Sequence, residues 1–264
     1  MKTHAVLLPG WLALTLSATV HAADDPIATD RPDFVESSDV VGKGRVQIET
    51  SLAWEYDREG ILTSRQRSTP TLLRIGLNDN WELRFETDGR MVQRLGDDSG
   101  TVRQRGWSDV SVGLKWHVAD GDEEQGRPGI AWLFHADVDS GSGTFRGQGV
   151  RPSVRLVAEW ELPGGLSIGV MPGIYQERND AGSRYIGTLL SGVVGKQLTE
   201  RLRGFVELSG QQLASTRNGG NTITADVGLA WLLTRDLQVD GAVSRGLNRN
   251  SPDWSWTVGI SSRF

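Results

Sequence analysis

The chain has 264 residues, a formal net charge of -5, 33 glycines, 10 tryptophans and no cysteine. The missing thiols exclude disulfides and thiolate chemistry, and a mildly acidic chain with no basic stretch offers nothing to nucleic acid. Past residue 22 no run approaches the roughly 20 apolar residues of a membrane helix, a test that strand-built barrels escape because only alternate residues meet lipid.

Residues 1–22 read as a secretory signal peptide, with Lys2 and His4 at the start, a mostly apolar stretch from Ala5 to Val20, and a cleavage site at Val20-His21-Ala22. Residues 23–44 are polar and turn-rich, and Pro32 disfavours a helix. They are expected to form either an arm or plug at the periplasmic mouth of whatever follows or a disordered leader. Asp30, Arg31 and Asp33 carry both charge signs and are the arm's expected contacts with a lumen.

From residue 45 to 264, alternation with a period of two returns again and again. Val46, Ile48, Leu52, Trp54 and Tyr56 oppose Arg45, Gln47, Glu49 and Glu55. Trp81, Leu83 and Phe85 oppose Glu82, Arg84 and Glu86, and Val110, Val112, Leu114 and Trp116 oppose Asp109, Lys115 and His117. Ile130, Trp132 and Phe134 oppose His135 and Asp137, Leu156 and Trp160 oppose Arg155 and Glu159, and Val227, Leu229 and Trp231 oppose Asp226. Weaker strands fill 67–77, 165–176, 184–196, 201–212 and 236–245, for about twelve strands in all. Tight turns at 78–80, 163–165, 199–200 and 234–236 alternate with longer polar loops near 57–66, 92–106, 140–150, 177–183, 213–221 and 246–252. The connection from Asp120 to Pro128 is longer than that rule allows. Short turns on one rim and long loops on the other predict an all-β, up-and-down antiparallel transmembrane barrel rather than a sandwich.

Tryptophan supports this. Trp81, Trp116, Trp132, Trp160 and Trp231 fall beside the short-turn rim, while Trp54, Trp254 and Trp256 approach the other. Indoles collect at the headgroup level, so this spacing predicts two aromatic girdles. The last strand, Asp253 to Phe264, carries Trp254, Trp256, Val258, Ile260 and Phe264 on one parity. It resembles the signal read by the outer-membrane assembly machinery of Gram-negative bacteria, with Phe264 as its end.

Three pieces resemble the outer-membrane transporter family of the phenol meta-pathway (MetA-type): Thr29-Asp30-Arg31-Pro32-Asp33-Phe34 with Glu36-Ser37, the strand from Gly106 to Trp116, and the end from Pro252 to Phe264. With the turn spacing, the resemblance covers nearly the whole mature chain. A departure is Asp139-Ser140-Gly141, where family members often carry Pro-Thr-Gly, so the shape of that loop does not carry over. The resemblance implies a barrel in the bacterial outer membrane that passes small, often apolar or aromatic compounds. Implied partners are membrane lipid and lipopolysaccharide, the assembly machinery and a small-molecule solute.

If the apolar faces meet lipid, the opposite faces put Arg74, Glu82, Arg84, Glu86, Asp109, Lys115, His117, His135, Asp137, Arg155 and Glu159 in the lumen. Charges of both signs in a confined space should pair, because an unpaired ion there is costly. They serve either as a wall that orients a solute or as a network that holds the barrel. An enzyme is disfavoured. A barrel phospholipase needs His-x-Ser-Asn-Gly, whereas Ala119 and Asp137 stand two residues after His117 and His135. Asp137 and Asp139 beside His135 could hold a metal, yet two carboxylates and one imidazole on a strand are more often a solvated wall, and Ser140-Gly141-Ser142-Gly143 lacks the Lys-Ser/Thr of a phosphate loop. No catalytic, metal or cofactor residue is therefore assigned. A transport channel leads, with a structural barrel second and a barrel enzyme third.

Overall fold

The structure, a computed structural model of the chain, describes residues 25–179, 181–213 and 220–264. The expected signal peptide lies outside the described residues. Twelve antiparallel strands close into a barrel. We number them β1 (Val46–Glu59), β2 (Leu62–Ser68 and Thr71–Gly76), β3 (Trp81–Thr87 and Arg90–Asp97), β4 (Gly100–Trp107 and Val110–Ala119), β5 (Gly129–Val138), β6 (Arg151–Leu162), β7 (Leu166–Arg178), β8 (Arg184–Thr199), β9 (Leu202–Leu213), β10 (Gly220–Thr234), β11 (Leu237–Gly246) and β12 (Trp254–Arg263). Each strand pairs with its sequence neighbour. β12 returns to β1 from Gln47↔Arg263 to Tyr56↔Trp254, so the wall has no free edge at membrane depth.

The alternation of side chains gives the wall its polarity. Outward residues are apolar and open: Leu52 is 53% exposed, Val206 57% and Val258 61%. Inward, Gln47, Glu49, Arg74, Glu82 and Lys115 are fully buried. Charges inside and aliphatics outside is the reverse of a water-soluble barrel, and it suits a hydrocarbon surround. Trp81 stacks on Trp116 at 5.4 Å near the short-turn rim, and Trp54 on Trp256 at 6.4 Å toward the other. The tight turns on the inner rim fall where the sequence places them, and the long connection 120–128 is braced by a bridge between Asp122 and Arg127.

The expected loops near 57–66 and 92–106 are corrected. These stretches are strand, turning only at Gly60-Ile61 and at Asp98-Ser99, and they carry β1 to β4 beyond the aromatic girdle. The reason is chemical: Arg65-Gln66-Arg67 and Arg103-Gln104-Arg105 alternate in direction but not in polarity. A hydrophobic period cannot register a strand that is wet on both faces. The extension starts at interruptions aligned across three strands. Pro70 has no N–H to donate in β2, Gly89 takes a φ of 65° in β3, and Ser108-Asp109 interrupts β4. The pairing of β3 with β2 shifts by one residue there, so Arg90, Val92 and Arg94 continue the outward face begun by Trp81, Leu83 and Phe85.

The loop 139–150 is also ordered more tightly than a flexible surface loop. The Asp109 carboxylate accepts the N–H groups of Gly141 (2.7 Å) and Gly147 (2.8 Å) and pairs with Arg151 at 2.7 Å. Ser142 then closes on the backbone of Trp107, which covers the outer edge of β4.

Candidate functional site

Chain entering β1 from its N-terminal side does not hang below the barrel. Residues 27–41 run up into the lumen, and Ile27, Asp30, Val35, Glu36, Ser38 and Val41 are buried there. The residues that seat them come from most of the circumference.

Charge holds the arm from many strands. The Asp30 carboxylate takes Arg84 at 2.6 Å and Lys115 at 2.9 Å, with Arg74 at 3.4 Å. Arg74 in turn pairs with Glu82 at 2.8 Å and Glu49 at 3.1 Å, and donates to the carbonyls of Ala28 and Asp39. Glu36 bridges Arg84 (2.6 Å) and Arg155 (2.7 Å). Asp33 meets Arg203 at 2.9 Å, and Arg31 meets Asp240 at 3.1 Å and Thr257 at 2.9 Å. Burial pushes the Asp30 carboxyl up, but Arg74, Lys115 and Arg84 outweigh it and hold it well below the usual carboxylate range. A depressed pKa stabilises the seated arm above the ordinary value, and that stabilisation is lost only as pH falls through the depressed one.

Carboxylates of the wall also take the arm's backbone, whose N–H groups would otherwise be buried without partners. Glu207 accepts from Phe34 and Val35, both at 2.7 Å, Glu159 from Ser38, and Glu82 from Val41 at 3.0 Å. His117 donates from Nδ1 to the Ser38 carbonyl at 2.9 Å. On β5 to β9, between charged neighbours such as Arg155 and Glu159 or Arg203 and Glu207, Val35 packs among Leu133, Val157, Met171, Leu189, Val193 and Phe205. Burying one valine contributes about 1.5–3 kcal/mol. The lumen therefore sets an apolar cluster among charged seats, and the arm is complementary to both.

The sequence candidates divide accordingly. Arg74, Glu82, Arg84, Lys115, His117, Arg155 and Glu159 converge on the arm, as do Asp30, Arg31 and Asp33 from its own side. His135 stands behind them, its Nε2 3.3 Å from Arg84 Nε. Glu86 borders the arm at Asp30 to Glu36, whereas Asp109 and Asp137 are not brought to it. All three line a 410 Å³ cavity nearer the outer mouth with Arg151 and Glu177. Glu36, Arg203 and Asp240 escape the sequence reading. Glu36 sits in the same short motif as Asp30, but β11 was too weak in alternation to give Asp240 a face. Phe264 exchanges backbone hydrogen bonds with Val46, and its ring is exposed.

Outward of the arm lies a cavity of about 240 Å³. Pro32 and Phe34 contribute its apolar side with Ala53 and Ala242, while Ser209, Thr224, Asp226, Ser244 and Thr257 supply polar atoms. A larger hollow of 1020 Å³ belongs to the outer wall, where Pro172, Leu190, Gly192 and Gly210 make a shallow groove toward lipid. Among the described residues no group of His, Asp and Glu is arranged to hold a metal.

Where the arm joins β1, Gly76 lies against the backbone of Gly42, and a Cβ at Gly76 would fall 1.7 Å from the Gly42 carbonyl oxygen. Gly76→Ala is expected to push this junction off the wall, at about 1–3 kcal/mol. Trypsin should then cut after Lys43 several-fold faster in the folded, heat-modifiable protein. An unchanged cleavage rate would contradict the close approach.

A protein family described as "Putative MetA-pathway of phenol degradation" matches residues 29–264. No curated protein matches the sequence. Among solved structures, the COG4313 outer membrane channel from Pseudomonas putida F1 is similar at 10% identity and a TM-score of 0.62, over 86% of this chain and 98% of that one. The β domain of the Bordetella autotransporter BrkA is similar at 12% identity and a TM-score of 0.59, over 84% and 100%. The NanC porin follows at 11% identity and 0.53, over 82% and 98%. At such identities the likeness is one of fold, that of an outer-membrane barrel.

Proposed function

Since the chain belongs to the MetA-type phenol-degradation family, we propose that it is an outer-membrane channel for small solutes with an apolar or aromatic body and a polar group, restricted by the arm across its lumen. The observation that carries this reading is the cavity on the outer side of the arm. Its volume of about 240 Å³ suits a single-ring compound, its apolar side is supplied by Phe34 and Pro32, and hydroxyls of Ser209, Thr224 and Thr257 share the rest with the carboxylates of Asp33, Glu55, Glu207 and Asp226. A ring could stack on Phe34 while its polar group exchanges hydrogen bonds with the hydroxyl wall. Passage further inward requires the arm to shift, because its carboxylates and backbone are bound to the wall on both sides.

The test is swelling of proteoliposomes in an aryl glucoside, a neutral solute with one aromatic ring that lipid alone holds back. Swelling should exceed that of empty vesicles, and Phe34→Ser should slow it roughly two- to tenfold if the ring is a stacking platform. No solute flux and no conductance from correctly folded protein would leave a structural barrel as the better reading.

A further inference from the structure

The strand extension above the girdle carries a feature that the channel does not use. Across β1 to β4 the outward row reads Tyr56, Arg65, Arg94, Arg103, each paired in register with the next. The row nearer the membrane reads Trp54, Arg67, Val92, Arg105, and Arg90 stands beside Trp107 below that. All six arginines are exposed, and neither row contains an acidic residue. None of the six has an ion pair among the described residues. Like charges opposite one another in a sheet are destabilising, and the fold bears that cost here three strands wide.

Position says what could neutralise them. The rows continue the outward face of Leu52, Val112 and Val258, so they look away from the lumen and cannot meet a solute inside it. Arg67 and Arg105 lie in the same register row as Trp54, whose indole stacks on Trp256 in the girdle. Arg65, Arg94 and Arg103 lie two residues further out, about 7 Å beyond the apolar belt. That is the headgroup level of the leaflet on the long-loop side, the outer one in such barrels. Arg65 is steadied over the Tyr56 ring at 5.8 Å. A second copy of this chain would bring like charge to like charge, and the patch has no apolar centre of the kind that protein interfaces bury. Guanidinium forks match phosphate oxygens two at a time.

We propose that Arg65, Arg67, Arg90, Arg94, Arg103 and Arg105 form a binding surface for the phosphate groups of the lipid A portion of lipopolysaccharide, which dock this side of the barrel into the outer leaflet.

Binding to detergent-solubilised folded protein would be measured with phosphorylated lipid A and with enzymatically dephosphorylated lipid A. The variant is Arg65→Gln/Arg94→Gln/Arg103→Gln. The charge-matched control on the opposite rim is Lys43→Gln/Lys196→Gln/Arg201→Gln. The outer-row variant should bind phosphorylated lipid A at least about tenfold more weakly than wild type, while the control stays within about twofold. Wild type should lose a similar factor when the phosphates are removed, and its preference should fade with added salt. Equal affinity of wild type and outer-row variant would overturn the proposal. So would equal binding of the two lipids by wild type, or an equal loss in the control. If the outer-row variant fails to give a heat-modifiable band, the wild-type comparison of the two lipids still decides.

Discussion

Removal of residues 25–39 is expected to raise single-channel conductance several-fold and to shift the channel toward anions, with the barrel still inserted and heat-modifiable. The barrel's hydrogen-bonded closure does not use the arm, so the wall should survive its loss. The arm crosses the lumen on bonds to Arg74, Arg84, Lys115, Arg155 and Arg203 on one hand and to Glu49, Glu82, Glu159, Glu207 and Asp240 on the other. In the densest part of this network Asp30, Glu36, Glu49 and Glu82 offset Arg74, Arg84, Lys115 and Arg155. Deletion takes away Asp30 and Glu36, leaving the cations in excess in this part of the lumen. Reversal potentials in a salt gradient report the selectivity, and step size reports the opening. Unchanged conductance, with residues 25–39 as protease-sensitive in the intact protein as in denaturant, would mean that the arm restricts nothing.

Neighbouring positions of β3 should respond in opposite ways. Leu83 faces lipid and Arg84 faces the lumen. Leu83→Arg places a guanidinium in hydrocarbon and is expected to cost about 2–4 kcal/mol near the midplane, read as a loss of folded protein in urea titrations in vesicles. Arg84→Leu leaves the wall's outer face intact. It strips Asp30, Glu36 and Glu82 of a shared partner that is itself fully buried, and stranding buried charge costs about 3–5 kcal/mol. That cost can be relieved by letting the arm leave, because Asp30 and Glu36 then reach water. Arg84→Leu should therefore insert normally, show larger or more frequent conductance steps, and expose residues 25–44 to protease. If Leu83→Arg inserts normally while Arg84→Leu does not, the assignment of faces is wrong.

What could be read without coordinates was whatever depends on residues two apart. Trp81-Glu82-Leu83-Arg84-Phe85-Glu86 announces a strand with a wet and a dry face, because a pleated backbone sends neighbours to opposite sides whatever the rest of the chain does. Repeated along the chain, that pattern determined the strand number, the inner turns, the girdles and the inward placement of Arg74, Arg84 and Lys115. It was silent over Arg65–Arg67 and Arg103–Arg105, where both faces are wet, so the strand extension and its outward arginine rows came only from the pairing of β1 to β4. The partners of the charges were equally out of reach. Arg31 finds Asp240 across 209 residues, and Glu207 takes the backbone of Phe34 and Val35 across 173 and 172. Nothing local selects these contacts. Closing β12 onto β1 brings the far wall round to the arm, and the cost of burying unpaired charge and unpaired N–H groups then decides which carboxylate meets which cation.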